Sequence, residues 1–69
     1  MEYEILIEGE IAVNWQMEFE GFIFSTINQA SDRKFTRMVG TLKDQSALFG
    51  ILARIGNLNL TLCALRKLK

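Results

Sequence analysis

The chain predicts a small two-layer α+β domain: an antiparallel sheet with one main helix. Three observations lead there. Short apolar stretches rich in β-branched and aromatic residues recur at residues 3–8, 22–27, 34–41 and 60–66, which is the mark of strands. A different spacing appears once, where Ala47, Leu48, Ile51, Leu52, Ile55 and Leu58 follow the helical pattern of one buried face. The length, 69 residues, accommodates one domain spanning residues 1–69.

In the first strand, Tyr3, Ile5 and Ile7 face one side and Glu4, Leu6 and Glu8 the other, and Gly9 allows a bend. Residues 12–20 have Trp15 and Phe19 four apart, one helical turn. This predicts one or two turns, capped by Asn14, that anchor Trp15 on the core and close at Gly21. Phe22–Ile27 reads as the second strand and Lys34–Thr41 as the third. The segment between them, Gln29–Arg33, has turn character, so the two strands should form a hairpin.

The helix should start at Asp44, a good N-cap residue. Its end is a choice between Gly56 and Asn59. A left-handed Gly56 would be followed by polar Asn57. A left-handed Asn59 is followed by Leu60, with Ile55 at the position a Schellman ending pairs with it. The helix therefore ends near Leu58. Leu60–Arg66 is the last strand.

The resulting order is that of a ferredoxin-like βαββαβ fold whose first helix is reduced to a short turn. In it the first and last strands are antiparallel neighbours, which would set Glu2 and Glu4 close to Arg66 and Lys67. That accounts for a lopsided charge distribution: residues 1–31 hold six glutamates and no Lys or Arg, whereas residues 32–69 hold all eight basic residues. The alternatives are a head-to-tail contact through a dipolar surface, or a three-stranded meander with the last strand added at an edge.

Composition limits the function. A chain this short buries only about 60% of the surface its unfolded form exposes. The usual covalent staples are missing, because there is one cysteine, Cys63, and no histidine. Oligomerisation is the remaining common staple for a chain that is 49% hydrophobic. The acidic start, Met1-Glu2-Tyr3-Glu4, lacks the basic region of a signal peptide, and no apolar run approaches the roughly 18 residues of a membrane span. With a free Cys63, this gives a cytoplasmic expectation.

The run Gly40-Thr-Leu-Lys-Asp-Gln-Ser-Ala-Leu48, then Gly50-x-Leu52, Ile55, Leu58-x-Leu60-x-Leu62 and Arg66, resembles a pattern shared by a family of small uncharacterised prokaryotic proteins. Trp15 and Phe19-Glu20-Gly21 look similar as well. Where the family often has Gly this chain has Asn59, and where it often has His this chain has Phe49. The resemblance implies the helix and its joints, and no chemistry.

Catalytic constellations are not legible, so a non-enzyme without cofactor or metal is expected. Cys63 has no histidine base and reads as a packed strand residue. The alternating glutamates of the first strand read as a solvated face rather than an acid–base pair. Asp44 itself fills any anion site at the helix start. Phe22, Phe24 and Phe35 beside Arg33, Lys34 and Arg37 allow a weak RNA-binding reading, but net charge is zero and nucleic acid is disfavoured.

The anomaly is where the apolar residues fall. The strands carry them at both parities, and the helix's outer face carries Phe49 among small residues. A sheet covered on one side would leave an apolar face open. The expected function is a homo-oligomeric interaction or regulatory module, a homodimer packing sheet faces together, with Leu6, Phe24, Met38, Phe49 and Cys63 as the candidate interface. A small-ligand-binding domain resembling amino-acid-sensing ACT modules is the alternative.

Overall fold

A computed structural model describes residues 1–28 and 33–69. Strands β1 (Glu2–Glu8), β2 (Phe22–Asn28), β3 (Lys34–Thr41) and β4 (Thr61–Lys67) form one sheet in the order β2-β3-β1-β4. Every neighbouring pair is antiparallel. A one-turn helix, α1 (Val13–Gln16), lies between β1 and β2, and the main helix, α2 (Gln45–Asn57), between β3 and β4. The slab measures 36 × 24 × 16 Å. The expected hairpin of β2 and β3 is present, while most of its turn, residues 29–32, lies outside the described residues. A meander is excluded, because β1 pairs with β3 and β4 and not with β2.

Register follows parity. Tyr3, Ile5 and Ile7 of β1 pair with Gly40, Met38 and Thr36 of β3, and all six are buried on the helix side of the sheet. Phe22 and Phe24 of β2 continue the same rows. Gly40 is required at its place, because a Cβ there would meet the Phe22 ring at 2.8 Å. The largest fully buried side chains are Phe19, Ile5, Ile7 and Met38. Burial of such side chains is worth about 1.5–3 kcal/mol each, more than a surface ion pair returns.

Both ends of α2 behave as their residues predict. The Asp44 carboxylate accepts the Ala47 N–H at 2.9 Å, closing the first turn. At the other end Asn59 is left-handed, with φ 60°. Leu60 N–H donates to the Ile55 carbonyl at 3.1 Å and Asn59 N–H to the Gly56 carbonyl at 3.0 Å, which is the full Schellman pattern.

The segment after β1 departs from expectation in two ways. Its helix begins at Val13, so Ala12 occupies the N-cap place without a side-chain bond, and Asn14 lies inside the turn. Trp15 is 37% exposed, whereas Phe19 is 1% exposed and is the anchor. The cause is hydrogen bonding: Glu18 N–H donates to the Trp15 carbonyl and Phe19 N–H to the Gln16 carbonyl. Such i→i+3 bonds wind about three residues per turn, so Phe19 diverges from the direction of Trp15. Gly21, with φ 89°, then turns the chain into β2. Thr36 ties down the start of this segment, donating to the Gly9 carbonyl at 2.8 Å and accepting the Ile11 N–H at 3.3 Å.

Candidate functional site

Three surfaces could carry function. The first is the sheet face opposite the helices. Its rows, read from β2 to β4, are Ile23–Val39–Glu4–Arg66, then Ser25–Arg37–Leu6–Ala64, then Ile27–Phe35–Glu8–Thr61. The β2–β3 half is apolar except for Ser25 and Arg37, and Ile23 is 74% exposed. The β1–β4 half is charged. Glu4, whose side chain is only 19% exposed, accepts from Arg37 Nε on one side and lies 3.1 Å from Arg66 Nη2 on the other. The Arg37 hydrogen bond is the main reason its carboxyl sits below the ordinary range; partial desolvation opposes this, and the positive charge of both arginines reinforces it.

The second surface is the β4 edge. All seven residues of β4 are exposed, although four of them are Leu62, Cys63, Ala64 and Leu65. A register shift between Leu6 and Ile7 leaves Cys63 as the extra residue of a bulge. Leu62 and Leu65 therefore pair with Ile7 and Ile5 and belong to the helix side of the sheet, yet they remain 44% and 41% exposed. One flank of α2 is fixed against the loop after α1, because Arg54 Nη1 donates to the Glu18 carbonyl. At about 100° per residue, Leu52, Gly56 and Phe49 share the opposite flank. That flank faces the β4 side, and Phe49 on it is 60% exposed.

The third is an open hollow of ≈ 420 Å³ lined by Glu10, Ile11, Ala12, Gln16 and Thr26. Its volume suits a small ligand, but Ile11 is its only large apolar wall and is itself buried. Among the described residues no cluster of Cys, Asp and Glu is arranged to hold a metal.

The residues expected at an interface are divided by the fold. Leu6 lies on the open face, Phe49 on the helix flank, and Cys63 at the exposed bulge of β4. Met38 is 0% exposed and Phe24 packs against the core cluster. Strand parity sends both to the helix side, so neither is available on the sheet's free face. Contrary to the expectation of a packed strand residue, Cys63 is exposed. The same parity hides Phe22 and Phe24 from any stacking role, leaving Phe35 as the aromatic on the open face.

Glu4 and Arg66 do meet, as the charge asymmetry predicted. The three ion pairs among the described residues each join an acid of residues 1–31 to a base of residues 32–69. The share of Arg37 in this cluster was missed, although its parity, opposite to that of Met38, pointed to it.

Neither the curated proteins nor the solved structures contain a match to this chain. A family model described as "Domain of unknown function (DUF8691)" matches residues 2–66, nearly the whole chain. That is consistent with an uncharacterised family, and the chain belongs to the DUF8691 family.

Proposed function

We propose that the protein is a non-enzymatic, self-associating interaction module, acting as a homodimer in the cytoplasm. The observation that carries this is β4, a strand that is apolar in four of seven positions and buries none of them, beside a flank of α2 on which Phe49 is 60% exposed. A single exposed leucine is ordinary. A contiguous strip formed by a strand edge and a helix flank is the kind of patch that marks an interface. The size of the chain supports the same reading, since small domains without disulfide or metal commonly draw stability from a second subunit.

The reading includes a ferredoxin-like βαββαβ arrangement. What supports it is a sheet that reads β4-β1-β3-β2 from the β4 side, with the one-turn α1 in place of the first helix. It leaves aside the packing of sheet faces expected from sequence. The Glu4, Arg37 and Arg66 cluster crosses the open face, and burying it between two copies would cost its solvation.

Light scattering on the purified chain at tens of micromolar tests the proposal. Twice the mass of the 69-residue chain is expected. A clean monomer across that range would overturn it.

A further inference from the structure

We infer that a second copy of this chain adds to the β4 edge, with the two β4 strands antiparallel about an axis near Ala64, so that the two sheets become one. This rests on the self-association reading and specifies its geometry.

The argument begins with the two edges of the sheet. β2 and β4 both have one row of backbone groups unpaired within the sheet. β2 is already clothed on its helix side, because Phe22 and Phe24 pack against the core cluster and Phe24 meets Phe19 with ring centroids 6.2 Å apart. β4 is covered less, since Leu62 and Leu65 stand on the same side and remain 44% and 41% exposed. An unpaired edge flanked by apolar side chains is a template for a further strand.

The identity of that strand follows from self-complementarity. Because of the bulge at Cys63, Leu62 and Leu65 share one side of the sheet. Antiparallel pairing about Ala64 then sets Leu62 of each copy across from Leu65 of the other. The α2 flanks that carry Phe49 converge over this joint, since α2 runs antiparallel to β4 beside it.

Charge selects the direction. The basic residues Arg66, Lys67 and Lys69 crowd the end of β4. Parallel pairing would set them against their own copies, and like charges directly opposite are destabilising. Antiparallel pairing carries Lys67 and Lys69 to the other copy's Leu58–Leu60 segment, where α2 ends. The negative end of the helix dipole lies there, and the acidic side chain nearest along the sheet is Glu8, paired with Thr61.

Cys63 supplies the test, as the only cysteine and an exposed one. In the proposed joint the two Cys63 residues are direct or diagonal cross-strand neighbours, within about 8 Å. A short bifunctional maleimide should therefore convert most of the wild-type protein to a covalent dimer on a denaturing gel. Phe49→Lys and Leu65→Lys should each shift the light-scattering mass toward monomer and abolish the cross-link, with far-UV circular dichroism verifying that each remains folded. Ile23→Lys, on the open face, should leave both unchanged. A wild-type dimer that does not cross-link at Cys63, or that Ile23→Lys dissociates while Phe49→Lys does not, overturns the β4 joint and leaves self-association standing. A wild-type monomer overturns both. If a lysine variant unfolds, the wild-type cross-link still decides.

Discussion

The end of α2 makes a prediction whose sign is the test. Gly56 lies inside the helix, is not among the residues with positive φ, and an added Cβ there meets nothing within 4 Å. Gly56→Ala should therefore recover the helix propensity that glycine forfeits, about 0.8–1 kcal/mol. Gly50, equally open on the same helix, is the reference and should respond alike. Asn59 is the opposite case, because its φ of 60° puts any Cβ against the neighbouring backbone. Between Ala and Gly at this position the difference should be about 1–2 kcal/mol, with Asn between them. Thermal melts by far-UV circular dichroism resolve this, since 1 kcal/mol moves the midpoint of a domain this size by about 4–8 °C. The expected result is that Gly56→Ala and Asn59→Gly raise the midpoint and Asn59→Ala lowers it. Because Gly56 also lies on the flank assigned to self-contact, the melts belong at two protein concentrations. A lower midpoint for Gly56→Ala at both, with no response at Asn59, would refute the Schellman ending and place the end of the helix one turn earlier.

Other expectations follow from single contacts. Gly40→Ala should cost about 1–3 kcal/mol by driving a methyl group into the Phe22 ring; in a Phe22→Leu background, denaturant titration should show most of that cost gone, and an undiminished cost would assign it elsewhere. Phe19→Ala should cost about 3–5 kcal/mol and leave much of the chain unfolded, whereas Trp15→Phe should cost under about 1.5 kcal/mol; a larger loss from Trp15→Phe would restore tryptophan as the anchor. The folded-state pKa of Glu4 is depressed, so its stabilising contribution is present above the ordinary carboxylate pKa and is lost as pH falls through the lowered folded value. Carboxyl chemical shifts followed by NMR should show Arg37→Gln raising the Glu4 pKa toward the ordinary range more than Arg66→Gln does; the reverse ranking would make Arg66 the principal partner.

How much of this was legible beforehand depended on distance along the chain. Lys34–Thr41 stands as read, and the α2 cap and ending are the predicted ones. The alternation of Tyr3, Ile5 and Ile7 against Glu4 and Leu6 also holds. These are local properties: a left-handed turn, a capping carboxylate and a two-residue repeat are written within a few neighbouring residues. The reading failed where geometry deviates by a fraction of a turn. Three-residue winding after α1 replaced Trp15 with Phe19 as the anchor. The bulge at Cys63 put Leu62 and Leu65 on one side, which strict alternation does not allow.

By itself the sequence determined the four strands and the main helix, their boundaries within a residue or two, and the sides that β1 and α2 would bury. It could not assign sides across strands. Phe24 and Met38 look as available as Leu6 until β2, β3 and β1 are laid in register, and only then does Met38 prove to be core and Phe24 to pack against it. Arg37 became a partner of Glu4 by the same alignment. Tertiary structure alone decided which apolar surface remained uncovered. One helix cannot cover every apolar position on its side of four strands, and Leu62 and Leu65 of β4 stay more than 40% exposed although α2 lies beside that strand.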